Sequence, residues 1–200
     1  QILAFDQYIF SVLKSSTAFR DNLELFDQIF RTVNLFIQLH LNYQLHSITA
    51  NDNTTGPITI RETATYGGPT SNFVEDMMNQ YMTSAEYSNS DEQRLVILRN
   101  MLQFLSMMSL GMVKHTRRLV KILFSEDFLQ NRRSDSVVDV ALSLTQLLFS
   151  VAWPFINRVN NQERQHMIRV LGQVAEQLHH DREDDRPQAL LTILEQEQVQ

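Results

Sequence analysis

Lys114, Arg117, Arg118 and Lys121 fall at positions i, i+3, i+4 and i+7 of the segment MVKHTRRLVKILF, residues 112–124. On a helix this spacing sets four cations on one ridge, because residues three and four apart are surface neighbours. Val113, Leu119, Val120 and Leu123 can then turn toward a core, so the segment is amphipathic as well as basic. Arg132 and Arg133 follow soon after. From 112 to 133 six cations meet only Glu126 and Asp127, a local charge of +4 in a chain whose net charge is −6. Guanidinium forks match carboxylate and phosphate geometry, so the ridge is expected to hold an acidic protein segment or a phosphate group. Its competing description is a solvated helix face with no ligand. Nucleic acid is disfavoured: no aromatic side chains interleave the ridge as stacking platforms, and the whole chain is acidic.

Other groupings carry less chemistry. Glu163 and His166 stand at i and i+3, the spacing that turns a carboxylate and an imidazole toward one metal. Ferritin-like sites need that pair on two helices with two further Glu residues, and the other Glu-x-x-His here, Glu176 to His179, falls on the same predicted helix. His179, His180, Asp181 and Glu183 sit in a charged run that reads as solvated. Asp139 lies within an apolar stretch, but near a helix start, where the dipole favours an anion and a structural role suffices. There is no glycine-rich phosphate loop and no metalloprotease motif. The absence of Cys excludes disulfides, thiolate metal sites and cysteine nucleophiles. No catalytic residue, metal ligand or cofactor is expected.

An acidic counterpart lies near the end of the chain. From 176 to 197, Glu176, Asp181, Glu183, Asp184, Asp185, Glu195 and Glu197 oppose Arg182 and Arg186, a local charge of −5. This stretch could dock on the basic ridge of its own or another copy. Within it Leu190, Ile193 and Leu194 form an amphipathic segment, which either packs into the domain or enters a partner's groove.

The elements that must position these residues read as helices. Phe19, Leu23, Phe26, Phe30, Val33 and Ile37 alternate spacings of four and three, in a long helix from about Ser15–Thr17 to about Ile48. Leu25, Ile29, Phe36 and Leu39 are expected to widen its buried seam. An earlier helix is expected over residues 1–15. Residues 49–70 break the pattern with Gly56-Pro57 and Gly67-Gly68-Pro69. A weak alternation over 58–66 admits an edge strand inside this long polar insertion.

Asn72 with Glu75, and Ser90 with Gln93, have the spacing of capping boxes. Ser134 or Asp135 and Asn160 or Asn161 begin later helices. Trp153-Pro154 predicts a kink or stop, and Gly111 a kink or end. Residues 140–157 carry no charge and just reach membrane-spanning length. Ser143, Thr145, Gln146, Ser150 and Pro154 interrupt them, so a central helix among neighbours is expected and no membrane span. The eight Met are expected to fill the core.

The chain therefore reads as all-α, with seven to eight helices in a compact bundle or a HEAT/armadillo-like array. One helical domain is expected over 1–186, with a C-terminal amphipathic segment over 187–200. Beginning at Gln1 without a signal pattern, it reads as a piece of a larger cytosolic or nuclear protein. Its expected function is a non-catalytic scaffold or adaptor domain, with Lys114, Arg117, Arg118, Lys121, Arg132, Arg133, Leu190, Ile193 and Leu194 meeting a protein partner. The alternatives are a structural or assembly protein, perhaps viral, that forms a homo-oligomer, and a helical-bundle metal enzyme using Glu163 and His166.

Overall fold

A computed structural model describes residues 22–50, 71–130 and 134–196. These form seven α-helices and one short π-helical turn, with no strand among the described residues. They are α1 (Leu23–Ala50), α2 (Ser71–Glu86), α3 (Asp91–Met107), α4 (Leu110–Leu123), the π turn (Glu126–Gln130), α5 (Asp135–Ile156), α6 (Asn161–Arg182) and α7 (Arg186–Gln196). The expected helix over 1–15, its capping residues Ser15–Thr17, and the strand-like stretch 58–66 lie outside the described residues. Residues 49 and 50 continue α1 rather than opening the insertion.

The chain divides into two compact units at Asn79 and Gln80. The boundary falls within α2. In the first unit α1 begins after Asn22, whose side-chain oxygen accepts the Leu25 N–H at 3.1 Å, as an N-cap does. Phe26, Phe30, Val33 and Ile37 are buried as the four-three spacing predicts, and the Phe26 and Phe30 rings stack with centroids 4.2 Å apart. The expected widening of this seam fails at Leu25 and Leu39. Both are exposed, as is Leu35, so the buried stripe on α1 is narrow.

In the second unit α5 packs against α3, α4, α7 and the π turn, while α6 packs against α7 and the π turn. Leu142, Leu144 and Leu148 of α5 are fully buried, each contributing about 1.5–3 kcal/mol of apolar burial. One described helix, α5, is long and apolar enough to cross a membrane. Its outward stripe is nevertheless polar: Ser136, Asp139, Ser143, Gln146 and Ser150 fall at alternating spacings of three and four. Thr145, buried on the other side, returns its hydroxyl to the Ala141 carbonyl at 2.7 Å, which removes an uncompensated donor from the core. That is the pattern of a helix lodged among neighbours. Pro154 denies α5 a backbone bond to Ser150, and the strain appears at Ala152, whose φ of −116° and ψ of 18° leave the helical region.

The remaining caps follow local chemistry. Ser90 Oγ accepts the Gln93 N–H at 3.2 Å, and Gln93 reaches back to the Asn89 N–H at 2.8 Å, one residue before the cap itself. Asn160 accepts the Glu163 N–H at 2.8 Å. Asn72 is not a cap, since α2 starts at Ser71, and Gly111 lies in the first turn of α4 without ending it. Six of the eight Met (Met77, Met78, Met82, Met101, Met112 and Met167) are buried, in keeping with core filling.

Three arginines tie these helices together. Arg94, 5% exposed, reaches Asp91, Asp127 and the Ser88 carbonyl at 3.0–3.2 Å, joining α3 to the π turn. Asp91 also accepts the Ser134 N–H at 2.9 Å, fixing the start of α5. Arg186 forks onto Asp184 and reaches Asp139 and Ser143, which clamps the start of α7 to α5. Hydrogen bonding to Asp184 raises the pKa of this guanidinium further, with Asp139 adding to it against the cost of burial. Arg164 is buried with no carboxylate among its partners in the described residues: it donates to the Leu194 carbonyl at 3.4 Å and to the Asn157 carbonyl at 3.3 Å and side chain. Those carbonyls end α7 and α5, where the helix dipoles are negative, so two helix ends stand in for a counter-ion.

Candidate functional site

The basic segment is helical, and α4 turns Leu119, Val120 and Leu123 inward while Lys114, Arg117 and Lys121 are exposed. The four ridge cations nevertheless separate into two kinds. Arg118 is half-buried and forks onto Glu86 at the end of α2, with Nε and Nη2 donating to the two carboxylate oxygens at 2.6 and 2.8 Å. Hydrogen bonding from Arg118 holds the Glu86 carboxyl below its ordinary range despite partial burial, and Glu86 in turn raises the guanidinium. Arg117, its side chain 73% exposed, reaches Glu163 on α6 at 3.3 Å. Lys114 and Lys121 have no carboxylate partner among the described residues. The two arginines hold α4 in place, and the two lysines remain exposed on the same face.

Lys121 also opens onto a groove of about 430 Å³ between α4, the start of the π turn and α6. Val120, Phe124 and Met167 form its apolar floor, and Lys121, Glu126, Glu163, His166 and Arg169 its polar walls. His166 is fixed by its surroundings. Its Nε2 lies 2.9 Å from the Phe124 carbonyl, an acceptor, so Nε2 carries the hydrogen and donates. That leaves a lone pair on Nδ1, which accepts from Arg169 Nη2 at 3.0 Å. Glu163 and His166 do share one face of α6, as their spacing requires. The first is engaged by Arg117 and the second by a carbonyl and a guanidinium. No group of three or more His, Asp or Glu among the described residues is arranged to hold a metal ion.

The other expected site residues are dispersed. Arg132 and Arg133 lie outside the described residues, as does Glu197. Leu190 and Leu194 of α7 are buried within the second unit, 3% and 0% exposed, while Ile193 is 40% exposed. The terminal helix is therefore docked on α6 and α5, and Leu190 and Leu194 are core residues rather than anchors for a partner. Among the described residues the acidic stretch does not meet the ridge: Arg117 and Arg118 pair with Glu163 and Glu86 instead. Sequence reading missed Glu86 and Arg169. Arg169 carries one local signal, its i+3 spacing from His166, but its place in the same groove as Lys121 depends on the tertiary structure.

Comparison with protein-family models, with curated proteins and with solved structures finds no match to this chain.

Proposed function

We propose that the chain is a non-catalytic helical interaction domain that binds an acidic protein segment along the outer face of α4. The observation that carries this reading is the pair Lys114 and Lys121. They stand two helical turns apart on one exposed face, without carboxylate partners among the described residues. Two desolvable cations at that interval suit carboxylates at i and i+7 of an incoming helix. Complementary charge of this kind steers encounter and fixes register, and it weakens with salt. Arg117 and Arg118 are engaged by Glu163 and Glu86. We read the chain as a water-soluble cytosolic or nuclear domain, on the strength of the polar outward stripe of α5.

The test is a titration of the full chain with a labelled amphipathic peptide bearing Glu at i and i+7. K114E/K121E is expected to weaken binding about tenfold or more, close to 1.4 kcal/mol. The control R99E/R158E makes the same charge change at exposed arginines elsewhere, and is expected to bind within about twofold of the parent. Equal losses in both variants would reduce the effect to net charge and overturn the reading.

A second reading, assembly of copies of the chain, is favoured by Leu25, Leu35 and Leu39, which are exposed on one side of α1.

A further inference from the structure

The α4–α6 groove is lined by two cations, Lys121 and Arg169, and two acids, Glu126 and Glu163, of which Glu163 is paired with Arg117. Arg169 lines the same groove as Glu126 and Glu163, yet its only partner among the described residues is Nδ1 of His166. Only one N–H of Nη2 is used there. The guanidinium is held in orientation with Nε and Nη1 still able to donate, which lowers the entropy lost when an anion is bound. Lys121 supplies a second cation, a point charge beside a planar fork. Glu163 would quench both, but Arg117 holds it from the outside at 3.3 Å. Glu126, Lys121 and Arg169 are all exposed, so solvent and salt screen the acid and the two cations alike. The apolar floor of Val120, Phe124 and Met167 bounds the site with a low-dielectric wall, which strengthens charge pairing above it.

We propose that this groove is a phosphate-monoester pocket, in which Lys121 and Arg169 hold a phosphorylated side chain of the acidic partner segment and Arg117 keeps Glu163 out of the way. The inference rests on the interaction reading above and names the group recognised. Charge matching selects phosphate over carboxylate: a dianion with three acceptor oxygens neutralises both cations, whereas one carboxylate leaves one of them uncompensated. His166 is a positioning residue here, since it touches Arg169 and not the anion.

The probes are the N-acetyl amides of O-phosphoserine, serine and glutamate, titrated at fixed ionic strength into the full isotope-labelled chain and followed by NMR at the Arg169 side-chain N–H and the amides of 121–126. The phosphoserine probe is expected to saturate below about 20 mM, with the glutamate probe at least about tenfold weaker and the serine probe inert. R169Q is expected to lose about tenfold and R169K, which keeps the charge but not the fork, about threefold. R117Q is expected to weaken phosphoserine binding because it releases Glu163 toward Lys121 and Arg169. R117Q/E163Q, whose net charge equals that of the parent, is expected to restore it to within about twofold.

Equal binding of the glutamate and phosphoserine probes, an R169Q variant that binds like the parent, or no saturation would each overturn the pocket. Failure of R117Q/E163Q to recover would overturn the masking role of Arg117. Loss of phosphoserine binding with acidic-peptide binding intact would sink this inference alone. Phosphoserine binding without any effect of K114E/K121E on the acidic peptide would sink the α4 reading instead.

Discussion

Arg118 and Lys121 sit one turn apart on α4, with the same charge and the same helical environment, yet one is a tether and the other an exposed cation. The difference comes from Glu86, 32 positions earlier in the sequence and joined to Arg118 by a forked pair. Helical spacing made the ridge legible, since it needs only a period of 3.6. The partners of its members were not legible, because Glu86 and Glu163 arrive by the packing of α2 and α6. Reversing all four ridge cations together would therefore mix loss of a surface with loss of a tether, and the two lysines alone are the cleaner pair. The Arg118–Glu86 pair also makes a pH prediction. The Glu86 pKa is lowered on folding from 4.5, so its stabilisation is complete above that ordinary value and lost as pH falls below it, through the lowered folded-state value. Both side chains are more than a third exposed, so after solvent screening the pair contributes only about 0.5–1 kcal/mol. E86Q should lower Tm at neutral pH and converge with the parent in acid, as thermal melts from pH 7 to below 4.5 would reveal. A gap independent of pH would refute this assignment.

At the scale of elements, helix starts were the most readable features. Ser90 and Asn160 are caps because a short oxygen-bearing side chain before an apolar run satisfies amides that the helix leaves without partners. Asn72 had the same pattern and lies within its helix, so the pattern permits a cap without requiring one. Helix ends were harder. The charged run HHDREDDR is where α6 ends, but no glycine in it singles out the last residue; the helix stops at Glu183, the one non-glycine residue with positive φ among the described residues, at φ 56° and ψ 36°. A side chain in that left-handed region is strained, and an anion at a helix C-terminus opposes the dipole. E183G should therefore raise stability by about 0.5–1 kcal/mol, net of glycine's greater chain entropy. That corresponds to roughly 2–3 °C in Tm, measurable by calorimetry. A lower Tm would mean that the exposed Glu183 side chain contributes more than its backbone costs.

For the whole molecule, composition and periodicity established an all-helical chain with an apolar α5 among neighbours, because few glycines, few prolines and four-three spacing leave little else. The same periodicity could not tell a core stripe from an exposed one. Leu35 and Leu39 are exposed while Leu190 and Leu194 are buried, although all four sit in amphipathic sequence. If the exposed leucines of α1 serve assembly, light scattering will show mass rising with concentration in the parent, and L35S/L39S will reduce it to a monomer. A parent that is monomeric across about 10–100 μM, a range in which even micromolar self-association would register, ends the assembly reading. The sequence by itself determined the described helices, most of their starts and the four-cation ridge, all of which arise from interactions within a few residues. Only the tertiary structure decided that Arg117 and Arg118 are engaged, that α7 is docked, and that Lys121 and Arg169 line one groove. Those outcomes depend on which helix faces meet, and packing settles that over separations of tens of residues.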